Sequence, residues 1–506
     1  MDLKKLFPLR AGDVQLYRVC EDLTEVLIYL MVVFSPWAFG TTQNWSVWTM
    51  NVAGYALGIL LAVKWFVRRL KGYRTSRWET ASPTDSKNIR RLTETRLTAV
   101  LAALTFLILL YCFISAANAY ATYHRRDLSF EYHACISWLP HSFDSTSSWA
   151  AFWSCLGLAG SFWAVRDWLL GKSPAEEWAA YTSSNVSGSG LGELFPARLR
   201  RLLWLLVING GVLAVEGIAQ RLEGSGNLLF LVKPRVNPEA IAQFGAYAYR
   251  ANAAQYFNLL WPVCVGFWWM LHRGRGCKRH AHHLVLVCAV IMAACPIIST
   301  SRGGALITVG ILALATLILL VTHFCFELHP GETSRARTFT VSLVILFCAG
   351  ALVLGCSLGW KSLKPRLAGI GEGFDGREEM YAAARPMADD YPVFGTGPGT
   401  FETVFQLYRI STDTYWPAQL HNDWLETRIT FGWVGTLMIL AALVAVLLRW
   451  FARGGIHGGR RFVTLLWLAL GGCLAHARFD FPFQIHSIVF LFLICCAILL
   501  NLSRRP

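Results

Sequence analysis

Long apolar runs separated by short polar segments recur along this chain, each close to the ~20 residues that a helix needs to cross a bilayer core. They predict spanning helices at about 23–40, 46–67, 97–119, 148–170, 202–220, 253–271, 284–299, 305–325, 339–359, 431–449, 462–477 and 484–502. The expected fold class is an all-α polytopic membrane protein with about twelve transmembrane helices. Arg68 to Arg96 carries nine basic residues against three acids, which marks that side as cytoplasmic and places both termini there. The chain then divides into an N-terminal segment (1–22), five helices with their loops (23–240), a region at 241–485, and a last helix with its tail (486–506). The longest polar stretch, 361–430, precedes the tenth helix on the opposite side and carries an acidic excess.

Composition agrees with this layout. Charged residues make up 15% of the chain, below the roughly 25% of ordinary globular proteins, and mean hydropathy is +0.43. The net charge of +15 raises nucleic acid as a partner, but the cations fall in short loops between apolar runs. Nucleic acid is therefore set aside in favour of membrane lipids. Most of the 14 cysteines lie inside apolar runs as small hydrophobes, without the spacing of a disulfide framework or zinc site. The loop 272–283, with Cys277, His280, His282 and His283, reads as basic and headgroup-facing. The loop Tyr120–Ser147, with His124, His133, Cys135 and His141, reads as solvated. No metal and no cofactor is expected.

Candidate chemistry gathers on the expected outer side. In Ala418–Glu426 a titratable histidine, His421, precedes the tenth helix, where unpaired backbone N–H groups favour an anion over an imidazolium. His421 has two readings, a helix cap or a general base towards a substrate held at the membrane surface. Ionisable groups at membrane edges call for a functional hypothesis. Arg250 and Asn252 begin the sixth helix, and Arg302 occupies a tight turn with Gly303 and Gly304. Arg377 and Arg385 come from the long stretch, and Arg478 and Asp480 from the last outer turn. Guanidinium forks of this kind suit phosphate oxygens, and several at a bilayer edge suit a polyprenyl pyrophosphate.

Three segments carry a family resemblance: Ser299–Thr300–Ser301–Arg302–Gly303–Gly304, the turn Gly395–Phe401, and His421–Asn422–Asp423–Trp424–Leu425–Glu426 followed by Gly432 and Gly435. Together with Tyr249–Arg250–Ala251–Asn252 and Phe479–Asp480–Phe481, they resemble the bacterial O-antigen ligase and polymerase superfamily over about 240–485. The resemblance implies a fold similar to C-type membrane glycosyltransferases, with the long loop facing the periplasm of the bacterial inner membrane. It implies transfer of a glycan from undecaprenyl pyrophosphate to a glycan, lipid A core or protein acceptor, without a metal ion. His421 would be the base, Arg250, Arg302 and Arg377 would bind substrate with Asn252, and Glu426 or Asp480 would orient His421 or the sugar. A polymerase joining lipid-linked repeats needs the same donor chemistry. A flippase for lipid-linked glycans would instead place charges in mid-span, where Arg166 and Glu216 are the candidates.

Overall fold

The computed structural model describes residues 8–78, 88–182, 196–273, 282–321, 334–409, 417–448 and 459–502. The apolar runs are helices: α1 (Ala11–Trp37), α2 (Asn44–Leu70), α3 (Asn88–Ala117), α4 (Ser145–Leu170), a short α5 (Pro174–Thr182), α6 (Ala197–Glu223), α7 (Arg250–Arg273), α8 (His282–Ile298) and α9 (Arg302–Val321). They continue as α10 (Ser334–Ala368), α11 (Ile370–Asp390), α12 (Asp423–Leu447), α13 (Arg460–His476) and α14 (His486–Leu502). Every expected span is overlain by one of these helices. Among the described residues five segments, Asn44–Leu70, Arg96–Ala117, Ala197–Glu223, Val341–Ala368 and Asp423–Leu447, are long and apolar enough to cross a membrane. The protein is an all-α polytopic membrane protein. The middle of the basic loop 272–283, including Cys277 and His280, lies outside the described residues, as do most of the linker after α5 and the loops after α9 and α12.

Burial explains the arrangement. All residues from Ala251 to Leu271 in α7 are buried, as befits a helix that is apolar nearly all round. It packs against α6, α8, α9, α13 and α14, so its first turn is placed where several helix ends meet. The outer helices turn large apolar side chains away from the bundle, among them Leu30, Ile59, Phe106 and Leu346. Far from α7's first turn, a buried ion network joins the first helices. Lys64 lies 3.0 Å from Glu21 and 3.3 Å from Asp167, while Arg68 and Arg77 also pair with Asp167, and Arg198 pairs with Glu21. These buried cations are matched by carboxylates, as desolvated charges require.

Three features depart from the expected layout. Helix α1 begins at Ala11 and α10 continues to Ala368, beyond the apolar limits of 23 and 359. Hydropathy marks the bilayer edge, whereas a helix ends where its backbone finds another partner. The loop at 120–147 is not merely solvated, because β1 (Ala121–His124) and β2 (Ser129–Tyr132) form an antiparallel hairpin. The segment that follows β2 docks on the long polar stretch, with Phe143 N–H donating to Thr396 O at 2.9 Å and Ser148 Oγ to Pro398 O at 2.8 Å.

The long stretch is also ordered around a break in α12. At Gly432 the backbone turns to φ +59°, and the N–H groups of Trp433 and Val434 donate to Pro392 O and Val393 O at 2.9 and 3.1 Å. The carbonyls of Ile429 and Thr430 accept instead from Thr396 and Gly397 at 2.9 and 3.0 Å. Helical bonds broken at the kink are thus replaced across to the 392–397 turn. Gly395, at φ +67°, faces Gly432 so closely that an added Cβ would sit 2.5 Å from the Gly432 nitrogen. A Cβ at Gly432 would lie 2.3 Å from Val393 O. Gly432→Ala is therefore expected to cost about 2 kcal/mol or more, through strained backbone and disrupted cross-bonds. Thermal unfolding in detergent should show a clear fall in Tm, whereas Gly376→Ala, where an added Cβ meets nothing within 4 Å, should not.

Candidate functional site

At one end of the bundle α7, α9 and α12 begin, and α13 gives way to the 477–485 turn. His421 sits immediately before the cap of α12 with a left-handed backbone, φ +58°, rare for a residue with a side chain. Its surroundings impose that shape. Tyr381 on α11 donates to His421 O at 2.8 Å, and the Glu426 carboxylate accepts the Leu420 N–H at 2.8 Å. The cap itself is Asn422, whose Oδ1 accepts the Leu425 N–H at 3.2 Å. The cap reading of His421 is thereby corrected: a neighbour does that work, and the imidazole is turned out towards the 477–485 turn. Asp423 staples α12 to the same turn, accepting the Phe483 N–H at 2.8 Å while its own N–H donates to Ala477 O at 2.9 Å.

The imidazole meets a carboxylate. His421 Nδ1 lies 3.1 Å from Asp480 Oδ1, and the ring is flanked edge-on by Phe481 and Tyr249 at centroid distances of 4.7 and 6.0 Å. Asp480 is buried and also accepts from the Phe481 N–H at 3.1 Å and the Tyr249 hydroxyl at 3.4 Å. Burial pushes its pKa up. The hydrogen bond and charge of His421, followed by the charges of His476 and Arg377, more than offset this and hold the carboxyl below its usual range. Whenever the imidazole carries a single proton, an ionised Asp480 favours it on Nδ1 and leaves Nε2 as the nitrogen that can accept another.

A second layer supports the pair. His476 Nε2 lies 3.9 Å from Asp480 Oδ2, and its Nδ1 is 2.6 Å from Gln255 Oε1 on α7. A Cβ on Gly303 would come within 3.0 Å of His476 Nε2, so the first turn of α9 rests on that imidazole. Arg302 and His421 are thereby brought to the same end of the protein through one short chain of contacts. Arg377 on α11 donates to Phe479 O beside Asp480.

The remaining candidates are placed as follows. Arg302 donates to Gly369 O at 3.0 Å and Arg250 to Ile241 O at 2.7 Å. Arg221 lies close by, spread over the carbonyls of Ala240, Ile241, Gln243 and Ser299. Among the described residues none of these three arginines forms an ion pair. Burial first, and then the guanidinium of Arg366, push Arg250 down to about 10; Tyr249 opposes this, while Arg221 and Arg302 add to it. Such an uncompensated cluster stands ready for an anion. Asn252 is buried in the first turn of α7. Glu426 faces the Leu420 N–H rather than His421, so the acid that touches the imidazole is Asp480. Arg385 pairs with Glu378 at 2.8 Å, and Arg478 is exposed.

Three contributors are not evident from the sequence, Gln255, His476 and Tyr381, and Tyr249 stands out there only as part of the segment 249–252. A signal exists for the first two, since both are polar residues inside apolar runs. Among the described residues no group of three or more histidine, cysteine, aspartate or glutamate side chains is arranged to hold a metal ion.

Comparison with known proteins bears on the second half of the chain. No curated protein matches the chain significantly. Residues 287–440 match the family model described as O-Antigen ligase, a span that includes Arg302, the Gly395 turn, His421 and Gly432. Over residues 287–440 the chain is similar to the O-antigen ligase family, which supports the superfamily resemblance carried by its motifs.

Proposed function

We propose that this protein is a metal-independent glycosyltransferase of the bacterial inner membrane, moving a glycan from undecaprenyl pyrophosphate to a periplasmic-face acceptor such as lipid A core. The observation that carries this reading is the placement of His421, oriented by Asp480, at the same end of the bundle as an arginine cluster without paired acids. His421 Nε2 takes the proton of the acceptor hydroxyl as its oxygen attacks the anomeric carbon. The bond from that carbon to the pyrophosphate oxygen breaks, and the electron pair leaves on the diphosphate. Arg250 and Arg302 stabilise the charge that develops there, the task a divalent ion performs in other glycosyltransferases.

The apolar surroundings support a lipid-linked donor. A groove of about 570 Å³ runs between α9 and α13, with Leu306, Ile307, Gly310 and Ile311 on one wall and Trp467, Gly471, Gly472 and Ala475 on the other. Its upper end lies one turn from Arg302 and next to His476. A polyprenyl chain laid there keeps its headgroup at the arginines.

Reconstitution in liposomes with a lipid-pyrophosphate glycan and a lipid A core acceptor tests the reading, followed by product and released carrier. His421→Ala should lower turnover on the order of 10²–10⁴-fold while the protein stays in the membrane; normal transfer by that variant would remove His421 from the chemistry. Asp480→Asn keeps the shape but removes the charge that sets the imidazole, and a kcat fall of a similar order is expected with little change in KM. Arg302→Lys keeps the charge without the fork, so kcat/KM should drop at least about tenfold. Wild-type kcat/KM there would show that the arginine merely reaches for the interface.

A further inference from the structure

Helices α9 and α10 lie antiparallel at the site, because Arg302 at the start of α9 bonds Gly369 just past the end of α10. One turn below, Leu363 of α10 is buried in a small cluster with Ala305 of α9 and Ile297 of α8. That contact fixes the register. Arg366 lies three residues beyond Leu363 on α10, and Arg302 lies three residues before Ala305 on α9. The two arginines therefore stand level, on the facing sides of two packed helices.

Arg366 is not accounted for by the fold. Among the described residues it makes no hydrogen bond and no ion pair, and its Nε is buried without a partner. An arginine in the last turn of a helix ordinarily complements the helix dipole from water. Lys364, exposed on the same turn, already offers that charge, and a donor turned inward and left unsatisfied does not serve it. Arg77, Arg198 and Arg221 also leave Nε unpartnered, but each satisfies its Nη groups on carboxylates or carbonyls, whereas Arg366 has no acceptor among the described residues, a cost that a ligand's oxygens would relieve. Its neighbours narrow the ligand's chemistry. Arg302 and Arg250 each commit an Nη to a backbone carbonyl, and Arg221 is spread over several, so among the described residues the cluster has cations to spare and no paired carboxylate.

We propose that Arg366 is a further ligand of the diphosphate, closing the arginine cradle from α10 opposite Arg250. This rests on the reading of the cluster as a diphosphate site. A diphosphate diester brings two ionised oxygens, and its departure from the sugar adds a third negative charge. Arg250 and Arg302 match the bound ester, and Arg366 meets the charge gained on departure. Arg221, held on carbonyls, acts as the scaffold for the 240–243 loop.

The test uses the full-length protein in detergent, with inorganic pyrophosphate and orthophosphate as probes and binding read by thermophoresis. Arg366→Gln should weaken pyrophosphate binding about ten- to a hundredfold. It should weaken orthophosphate far less, since that ion spans only one pair of arginines. Lys364→Gln, which removes an exposed charge from the same turn, should bind both probes as wild type does. Unchanged pyrophosphate affinity in Arg366→Gln, or an equal loss in Lys364→Gln, overturns the assignment while leaving the site reading in place. Should Arg366→Gln aggregate, Arg366→Lys decides: a loss of several-fold is expected because the fork is gone, and wild-type affinity overturns the proposal. A wild-type protein that binds no pyrophosphate overturns the diphosphate site itself, and this inference with it.

Discussion

The carboxylate of Asp480 is the point on which the site's geometry turns. It gathers groups from two distant stretches of chain, the His421 imidazole and the Tyr249 hydroxyl, together with the nearby His476 and its own neighbour's N–H. A buried acid with so many donors is cheap to ionise and expensive to remove. Each donor belongs to a different helix end, so the same carboxylate that sets the imidazole also holds α7 and α13 in position around α12. The left-handed backbone of His421 follows from this constraint. The strain of that conformation, of order 1–3 kcal/mol, is offset by bonds to Tyr381 and through Leu420 to Glu426.

The two ends of the bundle treat buried cations in opposite ways. In the network among α1, α2, α4 and α6, Lys64, Arg68, Arg77 and Arg198 converge on Glu21 and Asp167, so that each cation has a carboxylate partner within the protein. At the other end Arg221, Arg250 and Arg302 have backbone carbonyls as their only acceptors among the described residues, and Arg366 beside them has none. Carbonyl dipoles solvate a guanidinium without cancelling its charge. Folding energy alone favours the first arrangement, so the second fits the proposed site, in which the counter-charge would arrive with the substrate.

Much of this is legible in the chain. The spans follow from hydropathy, and His421, Arg250 and Arg302 stand out because ionisable groups at apolar boundaries are costly. Pairing is not legible: His421 and Asp480 lie 59 residues apart, and Gln255 and His476 lie 221 apart, so no local period connects them. The glycines at 395 and 432 stand out as a motif, but their reason emerges only when the broken helix and the 392–397 turn exchange hydrogen bonds. The hairpin at 121–132 is obscured by its histidines, which suggest metal spacing. Its alternating Tyr, Phe and Thr positions are the better signal. Arg366 falls beyond the helix limit that hydropathy sets at 359, so its place on a packed helix face is invisible to that reading.

The groove between α9 and α13 and the arginine cluster are consequences of one packing choice. Gly471 of α13 and Gly310 of α9 have open space where a Cβ would be, and together they leave a slot between the helices rather than a closed seam. At the top of that slot Gly303 lets α9 rest against the His476 ring, which stands behind Asp480. On the proposed function the same two helices would define where the lipid chain lies, where its charged head stops, and how far that head is from the imidazole. On the proposed function, a substrate that slid further down the slot would pull its phosphates away from Arg250 into hydrocarbon, at a cost that grows with every guanidinium it leaves behind. The register of the lipid is thus set by charge, and the placement of the anomeric carbon beside His421 follows from it.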